Sequence, residues 1–462
     1  MSPWKFLKYA AVTIFGLFVV LLAAIVILNA FDEDLSPEIV ALVARAEAEQ
    51  IVQQGNAYFS IRGLHAPHGQ DIELAGRVLD EADLRAVQAF KEKGEFNRTR
   101  PVVVANDLKF EGQDIGLCTV IEDYLFENGT CKNQVETDRV FQNNRELLQR
   151  YYSLLDLRIY EDRTTSLWFP QGALISLMKL ANVDIEKKID TGQIDQAARL
   201  MSKNLLFWRN LLDGKYHLVT GAIVRVNYSY SLSALSELLW RKPGLLNEDF
   251  RTALRGPLIP SAASLQAQMD REFIYTYFVK QGSDLLSGET FGRDANPAIR
   301  WLANRMYQKN ATLNAYHACI KNYYSIRGLS GAKLDEALAW YQSYEIEGGL
   351  IGLAANLTGK IALLSMCPTL SWFSTGIPDN FLEARRRLIL LEIKLLSSKL
   401  SESHFPALLS SADSGLSDPV TGRHAKWDTE RHAIYYEREQ GCGDERLRVR
   451  MAPNKDSARC QS

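Results

Sequence analysis

Charge is missing from residues 9–31. As a helix that stretch is about 35 Å long, against a hydrocarbon core of about 30 Å. A secretory signal carries an apolar region of only about 7–15 residues, so the length favours a retained anchor over a cleaved leader. Leu28-Asn29-Ala30 has the outline of a cleavage site, but Leu28 is large where a small residue is preferred. The missing polar stripe also argues against a core helix of a soluble protein. Basic residues are absent again between Asp32 and Ala44, whereas Lys5 and Lys8 precede the apolar run and Asp32, Glu33 and Asp34 follow it. Positive flanks stay on the cytoplasmic side, so this asymmetry predicts that residues 1–8 are cytoplasmic and that the body lies across the membrane.

Other absences narrow the class of protein. There are only 6 cysteines, no two at CxxC spacing and none beside a pair of histidines, which disfavours a zinc site. The net charge of −2 leaves no electrostatic footprint for nucleic acid. The 14 prolines and the lack of low-complexity segments fit a folded body rather than a stalk. No Gly-x-Ser-x-Gly, HExxH, Walker or GxGxxG pattern occurs, so no cofactor is expected.

What is present is helical periodicity. Ser36-Pro37-Glu38 reads as a helix start, with Ser36 as N-cap, and that helix is expected to continue from the membrane exit. A loop follows through "GNAYFSIRGLHAPHGQD". Helices are then predicted near 72–93, 136–157, two or three antiparallel ones within 172–240, and at about 262–282, 295–320, 332–346, 349–366 and 379–400. The segment 349–366 is apolar, but Lys360 near its middle makes a second span costly. Near the C-terminus the period changes to alternation. Lys426, Trp427, Ile434, Tyr435 and Tyr436 fit two strands around a turn at 428–430, and 446–451 reads as a third. The expected fold is therefore mainly α: a transmembrane helix, a multi-helical body of helical hairpins and a small antiparallel sheet. The expected divisions are a tail at 1–8, an anchor at 9–31, a helical body at 32–411 and a β-rich tail at 412–462.

In an oxidising compartment the cysteines can pair. Cys118 and Cys131 flank an Asn128-Gly129 turn, and Cys442 and Cys460 share the polar tail, so these are the two expected bridges. Cys319 and Cys367 lie in apolar helical stretches and fit either a bridge or buried thiols.

Candidate chemistry is sparse. His65 and His68 form the closest histidine pair and would need distant partners to hold a metal. Ser176 and Lys179 match Ser-x-x-Lys, but no Ser-Asp-Asn or Lys-Thr-Gly accompanies them. Glu345 and Glu347 point to different helix faces. Arg385, Arg386 and Arg387 read as a solvated helix start or a grip for an acidic partner, and His424 and His432 as surface positions beside the hairpin. The segment 158–170, "RIYEDRTTSLWFP", breaks the helical rhythm and carries Arg158, Tyr160, Arg163, Trp168 and Phe169. Aromatics with arginine are enriched at interface hot spots, which makes these five the candidate binding residues. The competing reading is that Trp168 and Phe169 plug the core.

Three stretches, "NAYFSIRGLHAP", "NLLFWRNLLDGKYHLVTGAIV" and "DPVTGRHAKWD", together resemble a poorly characterised group of proteobacterial envelope proteins. The resemblance covers residues 1 to about 440. It implies an inner-membrane anchor, a helical periplasmic body and a C-terminal hairpin, and it implies no reaction. The expected function is non-catalytic binding of a protein partner, in envelope assembly, secretion or toxin immunity. The alternative is a periplasmic hydrolase of peptidoglycan or lipid whose carboxylates are brought together only by the fold.

Overall fold

The computed structural model describes residues 3–93, 108–111, 134–163, 171–241, 248–256, 258, 261–281, 296–327, 356–366, 379–430, 432–437 and 448–450. Cys118, Cys131, Cys442, Cys460, Cys367, Trp168, Phe169, Glu345 and Glu347 lie outside them.

The first helix, α1 (Pro3–Leu28), contains one stretch, Lys8–Leu28, long and apolar enough to cross a membrane, and none of its hydrophobic window is buried. The helix ends there. Residues 29–36 are non-helical, so α2 (Pro37–Ala48) starts afresh instead of continuing α1. The Ser36 side chain accepts from Ile39 N and Pro37 opens the first turn, as the sequence indicates. The stretch read as a loop contains a helix, α3 (Ala57–Arg62), capped by Asn56, and α4 (Ile72–Lys93) packs closely on it.

The helix expected at 136–157 is two, α5 (Gln134–Asn143) and α6 (Arg145–Leu154). The Asn144 amide explains the break. Its Nδ2 donates to Val140 O (2.7 Å) and Glu111 O (2.8 Å), while its Oδ1 accepts from Glu111 N, tying residues 108–111 to the junction. Three long helices follow: α7 (Gln171–Asp190), α8 (Ile194–Leu212) and α9 (Leu218–Arg241). Short turns at 191–193 and 213–217 fold them back on one another. After α10 (Glu248–Leu254) and α11 (Ala262–Gln281), the helix expected at 295–320 is again divided, into α12 (Pro297–Arg305) and α13 (Lys309–Arg327). Then come α14 (Leu357–Met366), α15 (Asp379–Ser398) and α16 (Phe405–Ser410).

Strands β1 (Lys426–Asp428), β2 (Ala433–Tyr435) and β3 (Arg448–Arg450) form an antiparallel sheet in that order, with Ile434 opposite both Trp427 and Val449. Ile434 and Tyr436 lie in the main core with Leu177 and Met178 of α7, Leu205 and Trp208 of α8, Leu235 of α9 and Leu388 of α15. The sheet is thus fastened to the helical body through a shared apolar interior. A second core joins Ile39 and Leu42 of α2 to Phe273 of α11 and Tyr316 and Ile320 of α13.

Arg385 and Arg386 are buried and Arg387 is half-buried, which corrects the solvated reading of this triplet. Arg386 and Arg387 both grip Glu383, at 2.6 and 2.7 Å. Arg386 also reaches Leu254 O at the end of α10, Arg387 reaches Ser417 O, and Arg385 reaches the Ser229 hydroxyl on α9. Burial works to raise the Glu383 pKa, but the hydrogen bonds and charges of Arg386 and Arg387 together outweigh it and hold the carboxyl below its ordinary range. The triplet clamps α15 to its neighbours.

Candidate functional site

The segment 158–163 is an extended strap threaded between the start of α3 and the turn joining α8 to α9. Ile159 bridges Asn56 and Glu161 bridges Lys215, both in parallel sense. Its backbone is hydrogen-bonded on each side. Ala57 N donates to Ile159 O (2.9 Å), Lys215 N to Tyr160 O (3.1 Å) and Asp162 N to Lys215 O (3.0 Å). Asn56 clasps Glu161, accepting from its N–H and donating to its carbonyl.

The side chains of the strap point mostly inward. Tyr160 is buried beside the Tyr58 and Tyr216 rings. Arg163 forks onto the buried Asp80, 2.9 Å from Nη2, and Asp80 also accepts from the Tyr58 hydroxyl. Arg158 is exposed. Of the five candidate binding residues the strap therefore brings together Tyr160 and Arg163 inside the molecule and leaves Arg158 at the surface, while Trp168 and Phe169 fall outside the described residues.

Residues that sequence reading passed over form the centre of the strap. Arg271 of α11, almost wholly buried, donates from Nε to Asp162 Oδ1 (2.9 Å) and from Nη2 to Glu49 Oε1 (2.7 Å). Glu161 Oε1 takes Lys215 Nζ at 2.6 Å and lies 3.8 Å from Arg271. The other oxygen of Asp162 faces His217 Nε2 at 3.9 Å. Both ring nitrogens of His217 are buried and make no hydrogen bond, and the ring packs edge-on against Tyr275. The two residues were invisible as a pair because His217 stands alone in "GKYHLV" and Asp162 lies far upstream.

Their protonation follows from burial. Desolvation pushes the Asp162 carboxyl from 3.8 up to about 7, against the attraction of Arg271 and with help from Glu49. Desolvation pushes His217 from 6.5 down to about 4, against the attraction of Glu272 and with help from Arg271. Near neutral pH the imidazole is uncharged and Asp162 is poised between its two forms. The chemistry available is proton exchange between Oδ2 and Nε2 once the 3.9 Å gap closes. Asp162 is 2% exposed, so in this arrangement it is a buried structural carboxyl closed to substrate.

The signs of the two shifts oppose. A carboxyl raised on folding favours the folded state below 3.8, and that contribution is lost as pH rises towards 7. An imidazole lowered on folding favours the folded state above 6.5, and that contribution is lost as pH falls towards 4. Between about pH 4 and 6.5 the two largely offset. His217→Asn leaves the Asp162 contribution alone, so its melting temperature relative to wild type should rise as pH falls through that window. Asp162→Asn should do the reverse. Parallel melting curves for the two variants would contradict the assignment.

The remaining candidates are elsewhere. His65 Nδ1 meets Leu108 O at 2.7 Å, His68 is exposed and pairs with Glu146, and His432 pairs with Glu402. Lys179 lies over the Tyr230 ring at 5.5 Å, and Ser176 is half-buried one turn away. Among the described residues no group of three or more His, Cys, Asp or Glu is arranged to hold a metal. Cys319 lies on α13.

A second polar assembly joins the end of α1 to the body. Asp32 caps α13, its carboxylate accepting from Asn310 N (2.7 Å) and Ala311 N (3.0 Å). Gln308 Nε2 donates to Leu28 O and Phe31 O, and Asn314 Nδ2 to Asp34 O. Asn356 N donates to Asn29 Oδ1 at 2.6 Å, and its own Oδ1 accepts from Gln308 N. The division between α12 and α13 lies where Gln308 turns to meet the apolar helix.

No family model, curated protein or solved structure matches this chain.

Proposed function

We propose that this chain is anchored in the inner membrane by α1 and that its helical body works in the periplasm by binding a protein partner, as an accessory of envelope assembly or secretion or as an immunity-type inhibitor. The observation that carries the reading is the polar latch between α1 and the body. An apolar helix left entirely outside the protein's interior has no aqueous role, and residues 28–34 at its end make hydrogen bonds with Gln308, Asn310, Asn314 and Asn356. A leader removed by cleavage would take part of that latch with it. The charge flanks support the orientation.

Binding is tested at Arg158, the exposed one among the described candidate residues. A photo-crosslinking amino acid placed there in the full chain, in cells, should give a discrete adduct in the membrane fraction. The same probe at exposed Leu400 should not. Equal or absent labelling at the two positions would remove the strap as a contact surface.

A further inference from the structure

We propose that the C-terminal part of α12 and the first turn of α14 rest on the phosphodiester headgroup layer of the bilayer that α1 crosses, with Trp301 and Arg305 as the contact pair; this rests on α1 being a retained anchor. The latch fixes where these residues are. Gln308 is bonded to Leu28 O at the end of the apolar helix and to Phe31 O just beyond it, and Thr358 at the start of α14 donates from N to Met306 O and from its hydroxyl to Ala303 O. The stretch 303–308 and the first turn of α14 therefore stand where α1 leaves the membrane.

The side chains there have the composition of a bilayer interface. Trp301 is 55% exposed and Phe31 81% exposed, and Ile361 is partly exposed one turn into α14. Trp301 and Arg305 are one helical turn apart, with the Arg305 guanidinium 5.8 Å from the indole centroid. Trp301 is about 8 Å along the helix from Met306. The headgroup layer on each face is roughly 5–8 Å deep, within reach of an indole and a guanidinium. Indoles settle at that level and arginine extends its charge to phosphate. Asp32, the nearest acidic residue in sequence to the exit, spends both carboxylate oxygens on capping α13. The apolar character that makes 349–366 resemble a second span in sequence is, in its described part, that of a helix beginning at the membrane exit.

The test uses the full chain in nanodiscs of zwitterionic phospholipid. The emission difference between wild type and Trp301→Phe isolates one indole. With lipids brominated near the glycerol end of the acyl chain, that difference should fall at least twofold relative to unbrominated lipid and should resist aqueous iodide. A difference that is insensitive to bromine and quenched by iodide overturns the contact. Alkaline extraction of the cell membranes from which the chain is purified separates the two readings. A chain that stays in the pellet keeps the anchor whatever the quenching shows, and a chain that is released removes the anchor and the contact together.

Discussion

Arg271→Met should lower the stability of the protein by about 3–5 kcal/mol, read from the denaturation midpoint at pH 8. Arg271 is the cation shared by Asp162, Glu49 and Glu161, at 2.9, 2.7 and 3.8 Å. It also donates to the Asp162 carbonyl, so the guanidinium closes the strap onto α11 through both backbone and side chain. Methionine fills much of the same volume but leaves buried carboxylates without their partner, and that uncompensated charge is the main cost. The deficit should shrink as pH falls, because carboxyls that have lost their cation take up protons more readily in the folded state. Arg271→Lys keeps the charge without the fork and should lose less. A methionine variant within about 1 kcal/mol of wild type, with no pH dependence of the difference, would show that the cluster does not hold the strap.

Gly76→Ala should be as damaging for a different reason. A Cβ at Gly76 would lie 1.8 Å from the carbonyl oxygen of Phe59, and one at Gly63 would lie 1.8 Å from that of Ile72. The two glycines are the places where α3 and α4 touch backbone to backbone, and a carbonyl in a helix cannot swing aside as a flexible side chain can. The helices must separate, which strains the Tyr58–Asp80 and Arg62–Asp83 bonds spanning the same interface. Overpacking typically costs about 1–3 kcal/mol, and the backbone contact with two polar links puts this site at or above the top of that range. Gly69→Ala is the control. Nothing lies within 4 Å of its missing Cβ, and its φ of +74° sets a loss nearer 1–2 kcal/mol. Equal losses at Gly76 and Gly69 would mean that close packing of α3 on α4 is not what Gly76 provides.

The elements that could be read from sequence are those set by local rules. Residues 72–93 carry an unbroken helical pattern and fold as α4. Ser36 and Pro37 start a helix because capping and a fixed φ act within one turn. The alternation around 426–436 gives two paired antiparallel strands, as expected. What could not be read depends on distant partners. Asn144 and Gln308 interrupt helical patterns because their amides bind backbone groups elsewhere, at Glu111 and at Leu28 and Phe31. Arg163, Arg271 and Arg386 look like surface cations until Asp80, Asp162 and Glu383 are brought beside them. The strap was legible as a break in helical rhythm, and its aromatic and arginine content suggested an interface. In the fold, Tyr160 and Arg163 serve the interior instead. The acidic run at 32–34 indicated orientation through charge, but its second role, capping α13 and bonding Asn310 and Asn314, needs a helix almost three hundred residues away in sequence.

The intact mass of the protein purified from membranes tests the central claim most directly. If α1 is a retained anchor latched to the body, the mass is that of a chain still carrying residues 9–31. A mature chain beginning near residue 31 would contradict it, since the apolar helix and Asn29 would then be gone from the working protein.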